Sequence, residues 1–356
     1  MLRSLPIERW PRADAIAWAG ACQPGKRLPR GGRAGHLKPI TRNDLARRYG
    51  YFLTYLQQAG AFDADAAAGE QITVKAVERY VDHVQAIWSS VTVANTLYKL
   101  LRMGGLLAPG RDWQWLRDLA NDLEAQACPK PRFDRIVTSG RLAEIGFAEI
   151  AAAHGNARLR TYWRAKRVRD GLMVALLAHD FIRLKNFAAL TLGKTFRRVG
   201  DRWWIVLQGS DTKSSRPDER PVPKHLNRAV AIYLTYARPT LLGRREFVIH
   251  DDEDPGATDL LAGPLWVGTG GAALGYSAVE RSIMETTKRV LGRAISPHDF
   301  RRNGATTARL HAGNEPHLAS ALLQHRSEQV TENYNLASSL EAAGRYASLI
   351  SALQHT

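Results

Sequence analysis

Cysteine is nearly absent: Cys22 and Cys128 are the only two in 356 residues, far apart and in no CxxC pair. That argues against a disulfide framework and a cysteine zinc site, and makes a reducing compartment the expected home. Long apolar runs are missing as well, since none approaches the roughly 18 residues a spanning helix needs. From Met1 to Gly25 the chain holds Trp10, Asp14 and Trp18 where a secretory signal has a clean apolar stretch, so it reads as cytosolic, with no membrane partner. Acid is also scarce: 34 Asp and Glu against 50 Lys and Arg leave a formal charge of +16. A surplus of that size makes a compact fold repel itself, and nucleic acid is the commonest polyanion that would relieve it.

What is present suits two folded domains. Apolar residues make up 45% and charged residues 24%, the balance of an ordinary globular protein, and domains usually run to roughly 100–200 residues. Residues 1–40 mix Gly and Pro with Lys26, Arg27, Arg30, Arg33 and Lys38, which predicts a basic arm or loop. A solvated tail without a partner fits the same letters. Over 41–127 the pattern turns helical. Leu45, Tyr49, Phe52 and Leu56 recur at spacings of three and four, as do Val74, Val77, Val81 and Val84. Further segments at 91–103 and around Trp115, Leu116, Leu119 and Leu123 complete a four-helix domain. Two prolines and three basic residues over 128–135 break the pattern and place a linker at 128–136.

Residues 137–356 form the second expected domain. Helices are predicted at 140–153 and 160–178, then a hairpin of 194–199 and 202–207 around Gly200 and Asp201, with 221–223 as an edge strand. From Lys224 onward the chain reads as helical apart from the Gly- and Asp-rich loop 250–276. The overall expectation is a mostly α (α+β) protein whose second domain is mainly helical with a small three-stranded antiparallel sheet.

Four pieces of that domain carry residues suited to one reaction. In SPHDFRRNGAT, Pro297 starts a helix and a spacing of three sets His298 and Arg301 on one face, so that an imidazole and a guanidinium can meet the same phosphate. His325 lies in ALLQHRS, and Tyr334 follows nine residues later in TENYNLA. Arg183 in AHDFIRLKNFAAL is joined by Lys213 in the turn DTKSSRPDER. Two guanidiniums can grip both non-bridging oxygens of a phosphodiester and stabilise the charge of a pentavalent transition state. A lysine at a hairpin tip can protonate a leaving 5′-oxygen, and a histidine can take the proton of a tyrosine hydroxyl. Each residue alone has a bland reading: a core tyrosine, a surface histidine, a solvated turn lysine with Lys194 and Lys224 close by. The joint order and spacing weigh against it. A zinc site from His298, His311, His317 and His325 is disfavoured, because no pair has HExxH-type or Cys/His ligand spacing.

These segments resemble the tyrosine recombinases, also called the phage integrase family. The family motif H-x-x-R follows a first arginine and a hairpin lysine and precedes L-L-x-H and the nucleophilic tyrosine; here these are His298 to Arg301, Leu322 to His325, and Tyr334. The resemblance covers the second domain, and the helical first domain is similar to the family's core-site-binding domain. It implies that Tyr334 attacks the scissile phosphate, Arg183 and Arg301 hold it, Lys213 protonates the leaving 5′-hydroxyl, and His298 and His325 assist. The 3′-phosphotyrosine conserves the bond energy, so resealing needs no ATP, no metal and no other cofactor. The implied partner is duplex DNA with a short inverted-repeat core site, bound by a homotetramer whose C-terminal helix, about 339–356, packs on a neighbour. Two positions depart from the pattern: the Gly-Leu-Arg-x-x-Glu run has Asn186 in place of its carboxylate, and Gln324 replaces the usual glycine before His325. Rival readings are a non-catalytic DNA-binding regulator and a type IB topoisomerase.

Overall fold

The computed structural model of the chain describes residues 3–26, 31–129, 133–212, 216–244, 262–311 and Leu323. They fall into two compact units, Met1–Pro131 and Arg132–Thr356. No described helix is long and apolar enough to cross a membrane.

The first unit contains five α-helices among its described residues: α1 (Arg12–Cys22), α2 (Pro39–Gln58), α3 (Val74–Gln85), α4 (Ser90–Leu107) and α5 (Gln114–Ala125). Thr73 and Ser89 cap α3 and α4 by accepting from backbone N–H groups of the first turn, which satisfies donors the helix itself leaves orphaned. The periodic residues Leu45, Tyr49, Phe52, Leu56, Val77, Val81 and Val84 are buried together, whereas Val74 is exposed.

The expectation of four helices behind a basic arm needs correction. Between Pro11 and Gln23 the chain forms α1, which buries Trp18 and Ala21, and Trp10 beside it packs edge-on against Tyr49 at 4.9 Å. Asp14 fastens the helix: its buried carboxylate accepts from the Tyr49 hydroxyl at 2.5 Å and from the Gly69 backbone N–H at 2.7 Å. Burial pushes the Asp14 carboxyl up, partly offset by these two bonds, and burial beside Asp14 pushes the Tyr49 phenol up as well. Two tryptophans bury enough apolar surface to order a segment whose glycines and charges suggest a loop. Arg27 and Arg30 lie outside the described residues.

The second unit is built on α7 (Thr161–Asp180), buried on nearly every side and paired along its length with α6 (Ser139–His154). Glycine permits this approach: a Cβ on Gly146 would sit 2.5 Å from the Ala175 nitrogen. The charges at this junction are matched. Glu149 takes bonds from Arg167 and, at 2.8 Å, from Arg289, and Arg169 pairs with Asp170 at 2.6 Å, as buried ions require.

After α7 come the short α8 (Leu184–Ala188) and strands β1 (Thr191–Leu192), β2 (Phe196–Val199), β3 (Arg202–Leu207) and β4 (Asp218–Pro221), with β5 (Gly263–Pro264) later. The hairpin of β2 and β3 turns at Gly200, whose φ of 60° suits glycine, and β4 pairs antiparallel at the edge of β3. The sheet is nonetheless not the expected three-stranded antiparallel one. It has five strands in the order β4-β3-β2-β1-β5, and β1 runs parallel to β2. β1 and β5 are two residues each, too short to carry an alternating pattern. The chain continues through α9 (Asn227–Ile232), a π turn at Tyr233–Ala237 and α10 (Arg238–Leu241) to α11 (Tyr276–Leu291) and α12 (Pro297–His311). The expected tail helix lies outside the described residues.

Candidate active site

α12 carries the H-x-x-R pair, and its start is fixed by local chemistry. Pro297 occupies the first helical position, while Asp299 accepts from both the backbone N–H (3.1 Å) and the hydroxyl (2.7 Å) of Ser296, whose Oγ accepts in turn from the Asp299 N–H. This reciprocal box sets the helix phase. Asn303 and Thr307 on the same helix bond to the 135–139 segment: Asn303 Oδ1 accepts from the Val137 N–H, Nδ2 donates to the Arg135 carbonyl, and Thr307 Oγ1 accepts from the Ser139 N–H. Arg135 also lies 3.6 Å from the Asp299 carboxylate.

With that phase, His298 faces solvent and Arg301, one turn on, is buried at 6% exposure. Arg301 does not point outward as a bare fork. Its Nη1 donates to the Phe181 carbonyl and its Nη2 donates to the Leu323 carbonyl at 2.7 Å. Phe181 lies two residues before Arg183 and Leu323 two residues before His325. One guanidinium therefore ties together three of the four sequence pieces.

Arg183 sits at the N-cap of α8, where its carbonyl accepts from the N–H groups of Asn186 and Phe187. Its side chain is half-buried and, among the described residues, makes no hydrogen bond or ion pair. A guanidinium held on a fixed turn without a protein acceptor is available to an oxyanion. Lys213, His325 and Tyr334 lie outside the described residues.

Sequence reasoning overlooked the turn that delivers Arg183. Phe181 ends α7 with φ 46° and ψ 25°, the only described non-glycine residue in the left-handed region, a conformation that costs an L residue about 1–2 kcal/mol. Its ring is buried against Ala305, Ala308 and Leu323. Gly304 makes the space: a Cβ there would stand 2.6 Å from two carbons of the ring. Asp180, just before, is 5% exposed with Oδ2 unpartnered, and its carbonyl accepts from Arg220 Nη1 on β4. Arg220 Nε donates to Asp218 at 2.8 Å. Burial pushes the Asp180 carboxyl up to about 7; Arg220 pulls it down and Asp218 raises it further. On the preceding residue, His179 Nε2 lies 2.9 Å from His225 Nε2, and burial, with His225 beside it, holds His179 below its ordinary value. The one sequence signal for this cluster is the charged His-Asp pair closing the apolar run Met173–Ala178.

In the first unit, exposed Arg47 and Arg102 border a groove between α2 and α4 with Asn43, Asn95, Lys99 and Asp44, whose carboxylate pairs with Lys99 and, at 2.8 Å, with Arg47.

The second unit is thus a mainly helical α+β fold. Among solved structures, the crystal structure of XerA recombinase is similar to this chain at 16% identity and a TM-score of 0.40, over 88% of this chain and 94% of that one. No family model matches the chain, and no curated protein does.

Proposed function

We propose that the chain is a site-specific DNA strand-transfer enzyme of the tyrosine recombinase kind. The observation that carries this reading is the pair of bonds from Arg301 to the Phe181 and Leu323 carbonyls. Through them the H-x-x-R helix is joined to the chain next to Arg183 and to the chain next to His325, segments separated by more than a hundred residues of sequence. The order H-x-x-R, L-L-x-H and Tyr and the formal charge of +16 support the same reading.

In this mechanism the Tyr334 phenol oxygen attacks the scissile phosphorus. Its proton passes to His298 or His325. The bond to the 5′-oxygen breaks as a 3′-phosphotyrosine forms, and Lys213 donates the proton that makes the leaving group a 5′-hydroxyl. Arg183 and Arg301 neutralise the phosphoryl oxygens. Resealing is the reverse step with a second 5′-hydroxyl, so neither ATP nor metal takes part. The 41–127 helices and the 137–356 domain grip duplex DNA at a short inverted-repeat site, four copies assemble on it through the segment 339–356, and the reaction takes place in the cytoplasm. Affinity then comes mainly from neutralised phosphates and falls steeply with salt.

The test is to incubate the chain with a pool of nicked duplexes of randomised core sequence, recover adducts that survive SDS, and sequence the trapped ends. Adducts converging on an inverted repeat support a recombinase. Adducts without sequence preference, together with relaxation of supercoiled plasmid, point to a topoisomerase. DNA binding with no adduct indicates a non-catalytic regulator.

A further inference from the structure

Asp180 occupies the point where the arginine-bearing turn meets the edge of the sheet. The residue after it supplies the carbonyl that holds Arg301, and Arg183 follows three residues on. Its own carbonyl is held by Arg220 of β4, the strand that begins five residues after Lys213 in the sequence. Two carboxyl groups, Asp180 and Asp218, thus share one nearby guanidinium in a buried setting. Arg220 commits its Nε to Asp218 and an Nη to backbone, leaving Asp180 Oδ2 without a partner. The other titratable or charged groups around the junction are His179 on α7, His225 from the turn after β4, Arg183, and Arg301 on α12.

We propose that Asp180 is a positioning residue whose proton keeps the Arg183 turn and β4 in register, so that the turn presents both arginines only while the carboxyl is neutral. A neutral carboxyl fits a buried slot with one open oxygen, whereas an ionised one competes with Asp218 for Arg220. That competition pulls on the strand and on the turn together, and so on the Phe181 carbonyl that orients Arg301. The raised carboxyl, near 7, puts the change close to neutral pH.

The inference rests on the strand-transfer reading for its catalytic consequence but not for its physical one, and the experiment separates the two. The full-length wild type, Asp180→Asn and Asp218→Asn are compared from acid to alkaline pH in two measurements: the unfolding temperature without DNA, and the initial rate of SDS-resistant adduct with a duplex recovered from the nicked pool. The wild type is expected to lose unfolding temperature relative to Asp180→Asn as pH rises from the ordinary carboxylate range to about 7, with a constant gap above. Asp218→Asn is expected to move that inflection to lower pH, because it removes the neighbouring negative charge. The wild-type adduct rate should fall about tenfold between pH 6 and 8, following the protonated fraction of a group titrating near 7, and Asp180→Asn should lack that fall. A pH-independent gap in unfolding temperature, or an inflection unmoved by Asp218→Asn, overturns the proposal. So does an Asp180→Asn adduct profile identical to the wild type. Absence of adduct at every pH rejects the strand-transfer reading and leaves the junction to be judged by the unfolding arm; should Asp180→Asn not fold, Asp218→Asn still decides it.

Discussion

Replacing Gly304 by Ala tests how the arginine-bearing turn is held. A methyl at this position would meet Phe181 ring carbons at 2.6, 2.6 and 2.8 Å, closer than real contacts permit. The ring cannot easily step aside. It is 5% exposed, packed on Ala305, Ala308 and Leu323, and borne on a left-handed backbone that limits its directions. Overpacking a buried site typically costs about 1–3 kcal/mol, while Gly to Ala inside a helix returns about 1 kcal/mol. The expected net result is a loss of up to about 2 kcal/mol. Equilibrium unfolding in urea would read it as a lower midpoint at unchanged slope. The double variant Gly304→Ala with Phe181→Leu should recover most of the loss, because the ring atoms in conflict are gone, giving a coupling of about 1 kcal/mol. A Gly304→Ala protein more stable than the wild type, or strictly additive effects in the double variant, would refute the packing argument.

Three further outcomes follow from the same structure. Arg301→Ala removes two charge-assisted bonds from buried carbonyls and is expected to cost about 3 kcal/mol or more in urea unfolding, with faster hydrogen exchange around Phe181. Tyr49→Phe deletes the 2.5 Å bond to buried Asp14 and should destabilise by about 1–3 kcal/mol, seen as a lower unfolding temperature at neutral pH. His179 is held below its ordinary value by burial and by His225. Its contribution is therefore fully present above the unfolded imidazole range and lost as pH falls through the lower folded value. His179→Gln should flatten the acid limb of the stability curve, and an unchanged limb would contradict that.

Local signals carried much of the fold. α6, α7 and the β2–β3 hairpin follow from apolar periodicity, a Gly-Asp turn and a β-branched, aromatic strand, all of which act within a few residues. α12 follows from Pro297 and the Ser296–Asp299 box. What stayed hidden depends on distant partners. Helix α1 exists because Trp10, Asp14 and Trp18 find Tyr49 and Gly69 far along the chain, and nothing between Met1 and Lys26 announces those neighbours. Strands of two residues leave no pattern to read. At the candidate site the H-x-x-R spacing is legible, but the acceptors of Arg301 are backbone carbonyls, which every residue possesses. Phe181 in a glycine conformation is invisible locally, because only the gap at Gly304 makes it tolerable. The Asp180 carbonyl finds its donor, Arg220, on strand β4, 40 residues along the chain.

The central claim is that Tyr334 becomes covalently bound to DNA. Digesting the SDS-resistant adduct with nuclease and protease, then locating the nucleotide remnant by mass spectrometry, measures it directly. The account predicts a phosphonucleotide on the peptide containing Tyr334 and no adduct from Tyr334→Phe. A remnant on another residue such as Tyr346, or undiminished adduct from Tyr334→Phe, would contradict it.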